Sequence, residues 1–294
     1  MFKIVNKKVL GEKLVLFDIE ADKIAKSCYP GQFLIIKIDE KGERVPITIC
    51  DYNREKGIVT IVVQEIGATT LKINALEVGD CLQDVVGPLG NKSELVDMTK
   101  EELQQKNIIL VAGGLGAAPL YPQAKFLSEM GIKFDVIIGA RSKNMIILED
   151  EFKKLGCDLY ICTDDESYGY KGPVTNVLKM LVEEKNKKYN YAVAIGPAIM
   201  MKFTCLLTKE YNIKTIVSMN TIMVDGTGMC GACRLMVGDE LKFACIDGPE
   251  FDGHKINFDE VMKRQAQYKD EEGRALLKLK EGNTHHGGCG YCGG

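Results

Sequence analysis

Short segments in which apolar and polar residues alternate make up the first part of the chain, from residue 1 to about 95. Three of them read "KLVLFDIE", "QFLIIKID" and "GIVTIVVQEI", and the clusters "YPGQ", "DEKGE" and "NREKG" between such segments are rich in turn-forming residues. An alternation of period two predicts half-buried strands, because successive side chains of a strand point to opposite faces. Turn signals at this spacing predict an antiparallel barrel or sandwich.

A different pattern begins at "NIILVAGG". The near-continuous apolar runs "FDVIIGA", "DLYICT", "YAVAIG" and "TIVSMN" follow it, and stretches of helical character such as "PQAKFLSEMG" and "VTNVLKMLVEEKNK" lie between them. Strands that are apolar on both faces are typical of a parallel sheet covered by helices on both sides. The middle of the chain is therefore predicted to be an α/β domain.

From about residue 219 the regular pattern gives way to a lobe rich in glycine and cysteine. A charged stretch, "FDEVMKRQAQYKDEEGRALLKLKEG", then indicates helix and leads to the tail "NTHHGGCGYCGG". We predict four regions, with boundaries at 1–97 for the barrel, 98–218 for the α/β domain, 219–253 for the cysteine-rich lobe and 254–294 for the C-terminal segment.

Composition and charge narrow the possible partners. The 294 residues carry a formal net charge of -3, with both signs mixed along the chain, so nothing favours nucleic acid or an anionic membrane as a partner. The most apolar run is interrupted by glycine and proline well short of a bilayer-spanning length, and the N-terminus has no signal-peptide pattern. We expect a cytoplasmic protein whose partners are small molecules or other proteins.

The eleven cysteines point to metal or redox chemistry. A disulfide framework is typical of short secreted chains, whereas these cysteines include two Cys-x-x-Cys pairs, Cys230/Cys233 and Cys289/Cys292. His285 and His286 stand beside the second pair. These four residues could bind a metal ion or join a cluster at an interface, the two cysteines could form a redox disulfide, or the segment could be a plain glycine-rich terminus.

A candidate nucleotide site begins at "IILVAGGLGAAPLYPQAKFL", which reads as strand, glycine turn and helix. Glycines allow a backbone to approach a pyrophosphate closely, and a helix N-terminus offers free N–H groups and a positive dipole end. A purely structural glycine turn is the alternative. Because α/β sheets bind ligands at the carboxyl ends of their strands, the candidates are Gly113, Gly114 and Gly116 of this turn, and Arg141, Asp164, Gly196, Pro197 and Met200 at later strand ends.

A candidate metal site follows from the spacing Asp225-x4-Cys230-x2-Cys233, with Cys245 further along. Plant-type 2Fe-2S binding uses C-x4-C-x2-C and a more distant cysteine, and three of these four positions match. Zinc is the rival, although zinc sites usually pair two such clusters. Asp225 is predicted to be an oxygen ligand, with an Asx turn, an outer hydrogen-bond acceptor and a solvated charge as alternatives.

The order of these parts resembles the ferredoxin-NADP reductase superfamily, whose members place an FAD-binding Greek-key barrel before a nicotinamide-nucleotide domain. The segment "ERVPITI" resembles the flavin-contacting strand of that family, although Val45 stands where the family has arginine, and "VVQEIGATTLKI" resembles its pyrophosphate-holding segment. The resemblance implies Thr48 as the hydroxyl near the reactive flavin nitrogen. The further flavin contacts that it implies are Arg44, Val45, Pro46, Ile47, Val63, Gly67, Thr69 and Thr70.

With the cysteine-rich lobe added, the chain resembles the electron-transfer subunit of dihydroorotate dehydrogenase. With aspartate at the first ligand position, it is similar to the small subunits of the electron-bifurcating NADH/ferredoxin/NADP transhydrogenases. That resemblance implies FAD, a 2Fe-2S cluster and NAD(H) as cofactors, and a larger FAD and 4Fe-4S subunit as partner. Arg141 and Lys143 would suit a 2'-phosphate and Asp164 and Asp165 would oppose one, so the choice between NAD and NADP stays open.

Two alternatives are kept. The first is the dihydroorotate dehydrogenase subunit itself, which would exchange electrons with an FMN protein. The second belongs to another class and is a zinc-stabilised nucleotide-binding interaction module without a redox role.

Overall fold

The first unit is an antiparallel barrel. In the computed structural model, which describes residues 1–281, its elements are β1 Phe2–Gly11, β2 Leu14–Glu20, α1 Asp22–Ser27, β3 Phe33–Lys37, β4 Val45–Asn53, β5 Ile58–Gln64, α2 Ala68–Asn74, β6 Cys81–Leu82 and β7 Asp84–Leu89. The strand order is β6-β1-β2-β5-β4-β3-β7, and every pairing is antiparallel. Because β6 and β7 are consecutive in the chain yet lie at opposite ends of this order, they bring the sheet edges together and nearly close the barrel.

The second unit is a parallel sheet with helices on both faces. Its elements are α3 Glu94–Asp97, α4 Lys100–Gln104, β8 Ile108–Gly113, α5 Ala117–Glu129, β9 Phe134–Ala140, α6 Glu149–Lys153, β10 Asp158–Thr163, β11 Tyr170–Lys171, α7 Val174–Glu183, β12 Tyr191–Ile195, α8 Ala198–Glu210 and β13 Lys214–Ser218. The order β11-β10-β9-β8-β12-β13 is parallel throughout. The five long strands predicted from apolar runs are confirmed, with β8 and β12 buried along their full length.

Helix α7 shows why the intervening segments are helical. Val174, Val177, Leu178 and Leu181 are buried and recur at the spacing that places side chains on one face of a helix. Pro173 lies at the N-cap position, where its missing N–H costs no helical hydrogen bond. The apolar face therefore packs on the sheet, and the polar face stays outside.

The third unit contains the cysteine-rich lobe and the C-terminal helices. A hairpin of β14 Arg234–Val237 and β15 Glu240–Phe243 is followed by β16 Glu250–Asp252, α9 Phe258–Gln265 and α10 Lys269–Glu281. The pattern of apolar and polar residues along the sequence does not predict these three strands. Strand β16 pairs antiparallel with β13 and so returns the lobe to the edge of the parallel sheet. The four predicted domain boundaries remain our proposal for how the chain is divided.

Two further predictions concern membranes and the tail. Within residues 1–281, no helix is both long and apolar enough to cross a membrane. The tail candidates, His285, His286, Cys289 and Cys292, lie outside the described residues.

The barrel, the parallel sheet and the lobe meet at a buried polar cluster. Gln123 of α5 donates its Nε2 hydrogen to Glu250 Oε1 at 2.5 Å, and the Ser93 hydroxyl donates to Gln123 Oε1 at 3.3 Å. Glu250 Oε2 is buried and has no hydrogen-bond partner among the described residues, although part of the residue is exposed. Burial raises the pKa of Glu250 to about 7, and hydrogen bonds from Ser93 and Gln123 partly oppose this shift.

We expect Glu250→Gln to flatten the pH dependence of the unfolding free energy. A carboxyl whose native pKa is raised from 4.5 to about 7 binds its proton more tightly when folded. Its stabilising contribution is therefore complete below pH 4.5 and is lost as the pH rises through 7. The expected difference between wild type and variant across that range is about 3 kcal/mol at most, measured by urea unfolding at a series of pH values. Glu210→Gln, at an exposed helical position, is the control, and identical pH profiles for wild type and Glu250→Gln would contradict the assignment.

Candidate functional site

The carboxyl ends of β8 and β12 form the centre of the candidate nucleotide site. The chain leaves β8 toward β9 on one side of the sheet, while β12 lies on the other side of β8. A crevice at such a switch in strand order is where α/β sheets bind ligands. The turn after β12 lies against the turn after β8, because a Cβ built on Gly196 would come within 3.0 Å of the Gly113 Cα atom and 2.4 Å of the Met200 Cε atom.

The three glycines after β8 have different surroundings. A Cβ on Gly116 would lie 2.0 Å from the Ile195 carbonyl oxygen, and one on Gly113 would lie 2.9 Å from Met200 Cε. Gly116 therefore needs glycine for packing, because its obstacle is backbone, whereas the end of the Met200 side chain can shift away from a Cβ at Gly113. Gly114 has a φ of +53° and nothing within 4 Å of the Cβ position, so its backbone faces open space. Of the three, Gly114 offers a backbone that a phosphate could approach, and the phosphate role of all three stays a prediction.

Arg141 and Asp164 lie at the ends of the next two strands. The Asp164 N–H donates to the Ala140 carbonyl at 3.0 Å and the Asp165 N–H to the Arg141 carbonyl at 3.0 Å, so the two loops run side by side. Both side chains are exposed. The loops that carry a cation and a carboxylate are therefore adjacent at the carboxyl edge of the sheet.

Strand β4 offers an open strip for a planar ligand. Val45, Pro46, Ile47 and Thr48 are half-buried and pair with β3, whereas pairing with β5 starts only at Ile49. The other backbone edge of this half-strand is thus outside the β5 ladder, where its polar groups can serve a ligand. A flavin ring, with a flat apolar body and a polar rim, fits such a strip.

The predicted pyrophosphate segment lies at the start of α2. The Thr70 hydroxyl accepts the N–H groups of Ile66 and Gly67 at 2.9 and 3.0 Å, and a Cβ on Gly67 would meet nothing within 4 Å. The Thr69 hydroxyl donates to the Glu43 carboxylate. Val63, in contrast, has no exposed surface and packs in the barrel core, so its placement supports a structural role and gives no support to flavin contact by its side chain.

Two of the three cysteines of the lobe, Cys233 and Cys245, come together. Cys233 and Cys245 are buried with their sulfur atoms 3.2 Å apart, and the Cys245 N–H donates to Cys233 Sγ at 3.4 Å. Burial raises the pKa of Cys245 to about 12, with Cys233 as a further cause. Exposed Cys230 accepts the Ala232 N–H at 3.5 Å, and the N–H groups of Ala232 and then Asp225 lower its pKa.

Backbone N–H groups directed at cysteine sulfurs are the surroundings that a thiolate-bound iron-sulfur cluster requires. The loop can turn in this way because Gly226, Gly228 and Gly231 all have positive φ angles. Within residues 1–281, no three His, Cys, Asp or Glu side chains are gathered closely enough to hold one metal ion. The donor set and the N–H arrangement nevertheless fit a cluster.

Asp225 lies beside Cys230 and makes an Asx-type turn, which is one of the alternatives to ligation named from the sequence. Its Oδ2 atom accepts the N–H groups of Thr227 at 2.9 Å and Met229 at 3.3 Å, and the Thr227 hydroxyl also donates to it. Hydrogen bonds from the Thr227 hydroxyl and N–H lower the pKa of Asp225. Oδ1 takes part in none of these bonds. The loop thus fixes the carboxylate by one oxygen and leaves the other for a ligand, so ligation by Asp225 stays a prediction that this geometry allows.

Direct contacts join the cluster loop to the barrel. Arg44, just before β4, donates from Nη2 to the Asp225 carbonyl oxygen at 3.1 Å across 181 residues of sequence. A Cβ on Gly226 would meet Ile35 Cγ1 at 2.8 Å, so this glycine lets the loop lie flat on strand β3. The sequence placed Arg44 among the flavin contacts and carried no signal for its contact with the lobe. The predicted flavin strip and the predicted cluster loop are neighbours.

Comparison with known proteins agrees with this geometry. Residues 220–257 match the family model described as the iron-sulfur cluster binding domain of dihydroorotate dehydrogenase B. A Thermotoga maritima protein described as a dihydroorotate dehydrogenase B (NAD(+)) electron transfer subunit homolog is 45% identical over 92% of this chain and 92% of its own length. An uncharacterized Clostridium beijerinckii protein from the adh 3' region is 58% identical over 99% of this chain and 98% of its own.

A solved structure is also similar over most of the chain. A chain of the NADH-dependent reduced ferredoxin-NADP oxidoreductase, studied for flavin-based electron bifurcation, is 42% identical with a TM-score of 0.87, covering 95% of this chain and 98% of that one. Phthalate dioxygenase reductase, at 16% identity and a TM-score of 0.56, shares the fold alone. The barrel, the nucleotide sheet and the cysteine lobe thus recur together, and the chain belongs to the family of dihydroorotate dehydrogenase B electron-transfer subunits and their homologues.

Proposed function

We propose that this chain is the electron-transfer subunit of an NAD-linked flavin iron-sulfur oxidoreductase, passing electrons between NAD(H), FAD and a 2Fe-2S cluster, and on to or from a larger partner subunit. The observation that carries this proposal is the contact of Arg44 with the Asp225 carbonyl. It joins the barrel strand suited to a flavin directly to the loop suited to a cluster. Electron transfer needs such proximity, which the fold supplies by packing the two segments together.

When bound, FAD exchanges an electron pair with the nicotinamide, and a 2Fe-2S cluster carries electrons singly. The protein's own residues provide position and surroundings. Gly114 and the turn at Gly196 would hold the nucleotide at the sheet edge, and the half-strand Val45–Thr48 would hold the flavin ring. Thr48 is the proposed hydroxyl beside the reactive flavin nitrogen, which it would reach as a hydrogen-bond partner.

The lobe would hold the cluster through Cys230, Cys233, Cys245 and Asp225. The N–H groups of Cys245 and Ala232 point at sulfur atoms and would stabilise the negative charge of a thiolate-bound cluster. Burial of Cys233 and Cys245 would exclude water from one side of the cluster, whereas Cys230 lies at the surface. Electrons would therefore leave on the Cys230 side.

Exposed apolar side chains surround that side. Met229 is 87% exposed, Val224 54% and Ile246 46%, and all three lie in or next to the cluster loop. Large exposed apolar groups beside a redox centre suit a protein partner that covers them. As the finer proposal, this partner is a larger FAD and 4Fe-4S subunit that handles NADP(H) and ferredoxin, as in an electron-bifurcating transhydrogenase.

The dihydroorotate dehydrogenase subunit is the second candidate, and family membership alone favours it. Asp225 at the first ligand position is the observation that favours the transhydrogenase. The test is anaerobic purification from the source cells with identification of the co-purifying polypeptide and its cofactors. A partner with FAD and 4Fe-4S clusters supports the first, and an FMN-containing dihydroorotate dehydrogenase supports the second. A colourless, zinc-loaded protein would overturn both.

We expect Asp225→Ala to change the cluster and Asp225→Cys to keep it at a shifted reduction potential. A carboxylate is a harder ligand than a thiolate, so exchanging the two changes the electron density at iron. Iron content and the EPR spectrum of the reduced protein measure both effects. Asp247→Ala is the control, because Asp247 also accepts a loop N–H, from Phe243 at 2.6 Å, without standing at a ligand position. If Asp225→Ala leaves iron content and EPR signal unchanged, Asp225 is not a ligand.

A further inference from the structure

A large cavity opens beside the predicted pyrophosphate segment of the barrel. Its volume is about 800 Å³, which lies within the usual range for cofactor pockets. One wall is the β3–β4 connection, residues 38–43, and a second is the start of α2 at Ala68, Thr69 and Lys72. The third wall is helix α10, through Ala275, Lys278 and Leu279.

The charges around this cavity suit a phosphate-bearing ligand. Lys41, Lys72 and Lys278 line it, and none of the three forms a salt bridge with another described residue. The acids on the same rim are partly engaged: Asp39 accepts the Lys41 N–H at 2.9 Å, and Glu43 accepts the Thr69 hydroxyl, while Glu40 adds a free negative charge. Free ammonium groups are thus in reach of a diphosphate.

Packing against the rest of the protein does not explain the stability of helix α10. Apart from part-buried Leu276, its residues from Lys269 to Leu279 are exposed, including Leu277 at 55% and Leu279 at 37%. Most stability of a helix in a protein comes from burying an apolar face, and α10 buries little. Of these two leucines, only Leu279 lines the cavity. A ligand in the cavity would give this side of α10 something to pack against.

The position of the cavity indicates which part of a ligand it would take. The half-strand Val45–Thr48 and the cluster loop lie together through Arg44, and this is the end suited to the flavin ring. The cavity adjoins the predicted pyrophosphate segment, since Ala68 and Thr69 line it, and α10 forms another of its walls. A dinucleotide with its ring on β4 and its phosphates at Gly67–Thr70 would extend its adenylate half into the cavity.

We infer that α10 is a wall of the flavin site, and that Leu279 and Lys278 contact the adenylate half of FAD. This inference rests on the proposed function, because it takes FAD as the ligand of the barrel. It adds a C-terminal element to the residues that hold the cofactor.

The test compares binding of FAD and FMN to the full-length protein after its flavin has been removed, by titration of flavin fluorescence. FMN has the same ring without the adenylate, so it lacks the half of FAD that would contact α10. Leu279→Asp is expected to raise the Kd for FAD by roughly tenfold, the effect of losing one apolar contact of a leucine, and to leave the Kd for FMN unchanged. Ala275→Trp, which fills the cavity, is expected to act in the same direction. Leu277→Asp, two residues from Leu279 on the same helix and outside the cavity lining, is the matched control with both Kd values unchanged.

Three results would overturn the inference. The first is an unchanged Kd for FAD in both cavity variants, and the second is an equal loss of FAD and FMN binding. In either case wild type still binds FAD, so the proposed function stands. The third is a wild-type protein that binds neither flavin, which overturns the proposed function and the inference with it.

Discussion

Cys245→Ala is expected to yield a protein that keeps its flavin and loses its iron. Cys245 is 3% exposed, and its sulfur lies 3.2 Å from that of Cys233, so the two form the buried pair of the predicted ligand set. Loss of one thiolate ligand leaves an iron atom of the cluster with an open coordination position, and alanine has no side-chain ligand to fill it. Iron and acid-labile sulfide, measured by chemical assay, should fall from about two per chain to near zero.

A matched cysteine controls for the loss of packing. Cys205 is similarly buried, at 5% exposure, and lies on α8, outside the predicted set of cluster ligands. Cys205→Ala should therefore leave the iron and sulfide content unchanged, although it removes the same atoms from a buried position. An equal loss of iron in the two variants would mean that Cys245 acts through folding and not as a ligand.

Gly116→Ala is expected to destabilise the fold strongly, although it adds a single methyl group. The new Cβ atom would lie 2.0 Å from the Ile195 carbonyl oxygen, so the turn after β8 and the end of β12 would have to separate. The φ of Gly116 is -58°, a value that alanine adopts freely, and the effect is therefore steric. Forced overpacking against backbone costs roughly 3 kcal/mol, which should lower the Tm by about 6 °C or more in a protein of this size.

Gly273→Ala is the control for the added methyl group. Gly273 lies in α10, and a Cβ there would meet nothing within 4 Å. Alanine is the better helix former, so this variant should be neutral or stabilised by up to about 1 kcal/mol. Thermal unfolding followed by circular dichroism measures both variants, and a Gly116→Ala protein with the Tm of wild type would show that the two turns are not in contact.

Local pattern was enough to predict most of the fold. Fully buried strands such as β8 need apolar residues on both faces, and a barrel strand such as β2 alternates between buried and more exposed residues, so both classes leave a signature within a few residues. Strand β16 left none: three residues long, it is held at the sheet edge by pairing with β13. The charged C-terminal stretch was predicted to be helical, and the structure divides it into α9 and α10.

The sequence predicted those site residues whose spacing along the chain is itself typical of a set of metal ligands. Cys230, Cys233 and Cys245 follow a ligand spacing, and the structure brings the last two into contact. Contacts between distant parts of the sequence were not predictable. Arg44 reaches Asp225 from 181 residues away, and the Ser93–Gln123–Glu250 cluster joins three separate segments. Such contacts depend on how domains pack, for which a single sequence has no local signal.

The most direct test of the proposed electron path is to reduce the purified protein with NADH under anaerobic conditions and record visible absorption and EPR spectra in the same samples. We expect the flavin absorption to bleach and the EPR signal of a reduced 2Fe-2S cluster then to appear, because the contact of Arg44 with the Asp225 carbonyl places the β4 strip beside the cluster loop. Bleaching of the flavin without any cluster signal, in a protein with its full iron content, would contradict this path.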